Sequence, residues 1–127
     1  MAGEFDLIAR HFSTPVAHTD LGVGDDAALM TPRPGMQLVV SSDMLVAGTH
    51  FLPEVAPWLL GWKTAAVNIS DIAAMAAEPR WITLALSLPA ADEPWVSALA
   101  QGFHACCQRH GVDWVGGDTT RGPLNLC

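Results

Sequence analysis

The chain has 127 residues, half of them apolar and 15% charged, and its 13 acidic side chains against six basic ones give a net charge of -7. That length suits one domain of ~100–200 residues, the apolar share excludes intrinsic disorder, and the negative balance argues against nonspecific binding to nucleic acid. No apolar run reaches the ~18–20 residues of a membrane span, because Lys63, Asn68 and Asp71 interrupt the longest candidate.

In chain order, Phe5, Ile8, Ala9 and Phe12 at helical spacing predict a short amphipathic helix over residues 3–12, followed by a loop to residue 25. Residues 37–46, rich in Val, Ser and Leu and closed by Gly48, predict a first long strand. Residues 58–77 predict an alanine-rich helix that Pro79 stops. It is apolar around nearly its whole circumference, yet Thr64, Asn68, Asp71 and, less squarely, Lys63 share one side, and that polar stripe requires an explanation. Residues 80–88 predict a strand buried on one face, ended by Pro89. Asp92 reads as the N-cap of a second helix with Glu93 and Pro94 in its first turn, Trp95, Leu99, Phe103 and Cys106 or Cys107 on one face, and Gly111 as its C-cap. Residues 112–115 open another strand, which meets Gly116-Gly117-Asp118-Thr119-Thr120.

Strands alternating with helices give an α/β domain with helices packed on a sheet, its strand order not legible. The five tryptophans are expected mainly in the core. Acids at the N-terminus, with no apolar block behind them, do not make a signal peptide, so a soluble cytoplasmic protein is expected. Three cysteines, two of them adjacent, cannot form a disulfide framework and read as reduced thiols. The abrupt apolar end after Pro123 suggests a fragment of a longer protein.

The acids carry the chemistry. Asp25, Asp26, Asp43, Asp71 and Asp118 lie among glycine, small polar or apolar residues, with no Lys or Arg within two positions. A buried, unpaired carboxylate costs several kcal/mol or takes up a proton. The basic residues are too few to neutralise five such groups in one place, whereas hard divalent ions take oxygen ligands of this kind, and magnesium is the economical answer. Each acid alone has a plainer reading. Asp25 and Asp26 after Gly22-Val23-Gly24 suit an ordinary turn, and that triplet is neither a dinucleotide fingerprint nor a Walker loop. Asp43 beside Ser41 and Ser42 suits an edge strand facing solvent, or a set of hard-ion ligands. Asp71 suits a buried pair with Asn68, and the segment from Gly116 to Thr120 suits a plain turn or a close backbone approach to a ligand. His50 alone reads as a loop histidine, and no metal-ligand spacing of histidines or Ser-His-Asp arrangement is present.

Five ordered blocks then share one pattern: residues 3–10 (GEFDLIAR), residues 23–28 (VGDDAA), residues 41–46 (SSDMLV) with His50-Phe51, residues 63–75 (KTAAVNISDIAAM), and residues 116–123 (GGDTTRGP). Together they resemble the N-terminal part of the thiamine-monophosphate kinase family, in the aminoimidazole ribonucleotide synthetase-like superfamily. The resemblance implies a mixed sheet with helices packed on one face, dimerising through the sheet, with residues 1–127 forming the ATP- and magnesium-binding domain and a C-terminal domain absent. It implies ATP-dependent phosphorylation of thiamine monophosphate to thiamine diphosphate by direct, magnesium-assisted transfer, no side chain acting as a covalent catalyst. It places Asp26, Ser41, Ser42, Asp43, Asp71 and Asp118 on magnesium ligands, Gly117 and Asp118 on ATP contacts, and His50 on a substrate contact. Ser42 stands where the family more often has Thr, and both keep a hydroxyl. The implied partners are thiamine monophosphate, ATP and a second copy of the chain. The alternatives are another ATP-using enzyme of the same superfamily and a noncatalytic dimerisation module.

Overall fold

A computed structural model describes residues 11–127, so the expected helix over residues 3–12 lies almost wholly outside the described residues. The described elements are β1 (Leu45–Val46), α1 (Pro57–Ala74), β2 (Trp81–Leu88), α2 (Glu93–His110), β3 (Asp113–Arg121) and β4 (Asn125–Leu126). The strands form one mixed sheet in the order β1-β4-β2-β3. β3 runs parallel to β2, and β4 is antiparallel to both β2 and β1.

Burial alternates along β2. Leu84, Leu86 and Leu88 are buried while Thr83 and Ala85 are exposed, so one face of the sheet carries the helices and the other is open. Against the covered face pack Leu60, Ala65 and Ile69 of α1 and Val96, Leu99, Phe103, Cys106 and Cys107 of α2. Trp114 is the buried tryptophan, with Phe12 and Phe103 rings 5.0 and 4.6 Å from it. Trp62, Trp81 and Trp95 are only half-buried, and Trp58 lies exposed and stacked on Trp62, so the expectation of core placement holds fully for Trp114 alone.

The two helices approach each other closely because each has a glycine where they meet. A Cβ on Gly61 would lie 2.0 Å from the Leu99 carbonyl oxygen, and one on Gly102 would lie 1.9 Å from that of Trp58. Pro57 starts α1 in place of a side-chain cap, and the helix ends at Ala74, three residues before the expected boundary. Asp92 caps α2 by accepting the Trp95 amide, and Gly111 ends it in the left-handed region at φ 68°, both as expected. Burial in α2 pushes the Cys107 thiol up to about 12, with the neighbouring Cys106 adding to the shift, so this sulfur stays a protonated core group.

Two strands depart from the sequence reading. The long strand expected over residues 37–46 is reduced to Leu45–Val46, since β4 supplies only two residues as its ladder partner. Preceding it, Leu38, Val40 and Met44 are 63%, 88% and 60% exposed. High strand propensity without a neighbour to accept hydrogen bonds leaves an unpaired segment. Conversely, the glycine-rich stretch from Gly116 to Thr120, which suited a plain turn or a close backbone approach to a ligand, is strand. β3 pairs with β2 from Trp81↔Asp113 to Leu88↔Arg121, with Val115 passed over where the register shifts between Ile82 and Thr83. Gly117 makes this possible: at φ 149° a Cβ would lie 1.7 Å from the Leu84 carbonyl oxygen of its partner strand.

Candidate functional site

A cleft of about 520 Å³ opens beside β3, within the usual range for small-molecule sites. Its lining joins the loop Val23 to Ala28, which carries Asp25 and Asp26, to Gly116, Gly117, Asp118 and Thr119 of β3. Phe12, Leu84 and Trp114 add apolar wall. The loop is closed at its base by reciprocal backbone bonds between Leu21 and Leu29, at 2.9 and 3.1 Å, and by the Thr31 hydroxyl donating to Asp20. At its tip Asp25 accepts the Asp26 amide at 2.8 Å, and Asp118 similarly accepts the Thr119 amide at 2.9 Å. These local bonds fix carboxylates that are otherwise exposed to solvent.

A second group of predicted residues meets at the exposed side of α1. Asp43, half-buried, shares a hydrogen bond with Asp71, which raises the Asp43 carboxyl above its ordinary value; loss of hydration and the Asp71 charge add to the rise, and nearby His50 opposes it. His50 is oriented by the Val46 amide, which donates to its Nδ1 at 2.9 Å, and Lys63 donates its ammonium to the His50 carbonyl. Ser41 and Ser42 are exposed in the chain just before Asp43.

The six acids and hydroxyls expected to share one site therefore stand in two subsets: Asp26 and Asp118 at the cleft, and Asp43 and Asp71, with Ser41 and Ser42 preceding Asp43, beside α1. Among the described residues, no three His, Cys, Asp or Glu side chains converge closely enough to hold a metal ion. Asp43 belongs to the segment that has no ladder partner among the described residues.

The structure also corrects the premise of buried acids. Asp25, Asp26, Asp71 and Asp118 are exposed, and in place of the alternative Asn68–Asp71 pair Asn68 donates to the Thr64 carbonyl at 2.8 Å. The Thr64 hydroxyl in turn donates to the Leu60 carbonyl, which explains much of the polar stripe on α1 as bonds within the helix.

Among the described residues the buried acid is Asp113, which the sequence reading passed over. It is 5% exposed and accepts the Ala17 amide at 2.9 and 3.0 Å, the His18 amide at 2.6 Å and the Thr19 hydroxyl at 2.6 Å. Burial alone would raise its pKa, but these donors and the His18 charge outweigh that and hold the carboxyl below its ordinary value. The folded state thus favours the ionised form, so the stability it contributes is complete above about pH 4 and is lost as the pH falls through its lowered value. Asp113→Ala should cost about 3 kcal/mol near neutral pH, because two amides lose a buried acceptor. Chemical denaturation should show this deficit shrinking in acid, and a deficit independent of pH would contradict the ionised clamp.

With this geometry described, the family is clear. Residues 24–126 match the AIR synthase related protein, N-terminal domain, and the chain belongs to that family. Within it, the chain is 47% identical over 127 residues to thiamine-monophosphate kinase of Salmonella typhimurium, covering 98% of this chain and 39% of that protein. The crystal structure of thiamine-monophosphate kinase from Stenotrophomonas maltophilia K279a superposes with a TM-score of 0.81 at 55% identity, covering 86% of this chain and 34% of that one. AaThiL complexed with AMPPCP and TMP superposes at a TM-score of 0.63 and 30% identity, over 66% of this chain and 28% of that one. The chain thus spans about 39% of the length of the curated relatives it matches.

Proposed function

We propose that this chain is the nucleotide- and magnesium-binding domain of a thiamine-monophosphate kinase, which transfers the terminal phosphoryl group of ATP to thiamine monophosphate and yields thiamine diphosphate. The observation that carries the reading is the pairing of carboxyls where phosphates would have to bind: Asp26 faces Gly117 and Asp118 across one cleft, and Asp43 touches Asp71 beside His50. Identity of 47% across the chain to a thiamine-monophosphate kinase supports the choice of substrate.

The donor set fits magnesium. Asp43 stands beside Asp71, whose carboxyl raises the Asp43 pKa, and both offer the hard oxygens that Mg²⁺ prefers. Asp26 and Asp118 at the cleft, with the hydroxyls of Ser41 and Ser42, complete the ligands this reading assigns. When bound, the ion offsets phosphate charge and lets acidic side chains share a pocket with a polyanion. The chain's own contribution is positioning. Gly117 lets β3 pack closely on β2 where the strand lines the cleft, the fixed turn at Asp25 and Asp26 sets one wall, and His50 sits beside the acid pair where a second phosphate would enter. The accepting phosphate oxygen is already anionic, so direct in-line transfer requires no general base and no phosphoenzyme.

The same reading gives a homodimer joined through the sheet. The unpaired residues before β1 carry exposed Leu38, Val40 and Met44, and a second copy would supply the missing ladder and cover them. Sedimentation of the full-length protein should show a dimer; a monomer at micromolar concentration would contradict this part. The functional reading itself is tested by coupled assay on the full-length protein, with thiamine diphosphate expected only when ATP, thiamine monophosphate and Mg²⁺ are all present. Product formed equally well in excess chelator would refute it.

A further inference from the structure

We propose that Asp113 is the positioning residue that sets Asp26 opposite Asp118, acting through the root of the loop that carries Asp26. The inference rests on the nucleotide reading of the cleft and adds a residue to it.

A carboxylate this deeply buried usually requires a cationic partner. Asp113 instead spends its acceptor capacity on three consecutive residues of one loop, both amides and the hydroxyl of Ala17, His18 and Thr19. A second grip comes from the neighbouring strand, where the Trp81 indole donates to the His18 carbonyl at 3.2 Å. Trp81 and Asp113 are register partners at the start of β2 and β3, so the two strands seize the same residue from both sides. From that root the chain runs directly into the closed loop of Asp20, Leu21 and Leu29, whose tip delivers Asp25 and Asp26 to the cleft.

The other wall of the cleft lies on the same strand. Asp118 follows Asp113 along β3, and β3 is paired to β2 from Asp113 to Arg121, with one register shift at Val115. One strand therefore both anchors the loop bearing Asp26 and presents Asp118. Small slippage at residues 17–19 changes the separation of the two carboxylates, which is the quantity a shared ligand reads. Asp113 itself is enclosed and does not line the cleft, so its influence passes through the loop.

Full-length Asp113→Asn, Thr19→Val and Trp81→Phe variants test this, with Thr19→Ser restoring the hydroxyl. Each removes part of the grip without emptying the core. Hydrogen exchange of the metal-free protein should quicken at the Leu21 and Leu29 amides, and KM for Mg·ATP should rise about fivefold per lost hydrogen bond with kcat at saturation much less affected. Thr19→Ser should restore both. A purely structural role would lower the melting temperature while leaving exchange over residues 20–29 and KM of the folded enzyme unchanged, and that result would overturn the proposal. If the full-length wild type makes no thiamine diphosphate, the functional reading fails, and exchange in the loop still decides whether Asp113 positions it.

Discussion

Gly102→Ala is expected to lower the melting temperature of the chain on the order of 10 °C, although it adds only one methyl group. Alanine is the better helix former by about 1 kcal/mol, so an exposed glycine at this place would gain from the change. Here the added carbon would meet the Trp58 backbone carbonyl oxygen at 1.9 Å, with its carbonyl carbon at 2.7 Å. Backbone atoms inside α1 cannot rotate away, so α1 and α2 must separate. Separation opens contacts among Leu60, Leu99 and Phe103, each buried to within 1% of its surface. Overpacking of this kind costs about 1–3 kcal/mol and more when the obstacle is rigid, enough to reverse the gain in helix propensity. Gly61→Ala should act in the same direction, as its Cβ would lie 2.0 Å from the Leu99 carbonyl oxygen. Unchanged melting in both variants would mean that the helices do not cross at these glycines.

Asp71→Asn is expected to do the opposite, sparing the fold and removing function. Asp71 is exposed on α1 and its chief neighbour is the Asp43 carboxyl, so the amide relieves a repulsion and leaves melting unchanged or slightly higher. The same exchange deletes a charge that a cation would require. Affinity for Mg²⁺ in the presence of a nonhydrolysable ATP analogue should fall about 100-fold or more, as ligand losses exceed the ~10–100-fold effects of outer-shell changes. Proton competition gives a second signature. Asp43 holds its proton more tightly than an ordinary carboxyl in the wild type, so Mg²⁺ affinity should weaken as the pH falls through that raised value. In Asp71→Asn the carboxyl contact is gone and this pH dependence should move toward lower pH. Calorimetry at several pH values reads both effects, and a variant with wild-type Mg²⁺ affinity would remove Asp71 from the site.

What could be read from residues alone divides along physical lines. Both described helices were legible because capping and periodicity are local: Pro57, Asp92, Glu93, Pro94 and Gly111 act within a few residues of where they stand. Strand β2 was legible for the same reason. Strand extent was not, since it depends on a neighbour. Residues 37–44 have strand composition and lack a ladder among the described residues, whereas Gly116 to Thr120 have turn composition and are held as strand by β2. Gly117 suited a turn or a close approach to a ligand and serves instead to let two backbones pass. Gly61 and Gly102 went unremarked, although an isolated glycine within a helical pattern is itself a sign of close packing.

The site was legible as a list and less so as an arrangement. Asp25, Asp26, Asp43, Asp71 and Asp118 were singled out, but the argument for them assumed burial, and four of these five are exposed. What makes the acids informative is contact with one another, as between Asp43 and Asp71, and a shared cleft, as between Asp26 and Asp118. Asp113 was missed because its partners lie 94 to 96 positions away in sequence. Its one local signal is an acid opening an otherwise apolar strand, Val112-Asp113-Trp114-Val115. Such a residue is worth asking which backbone donors it satisfies.

The central claim is that both carboxylate subsets serve one Mg·ATP site. Calorimetric titration of the full-length protein with a nonhydrolysable ATP analogue and Mg²⁺ tests it most directly, comparing wild type with Asp118→Asn, Asp71→Asn and the double variant. The account predicts that each single change weakens magnesium-dependent binding and that the double change costs less than the sum, because the two act on a shared ligand. Wild-type affinity in either single variant, or equally tight binding without magnesium, would contradict it.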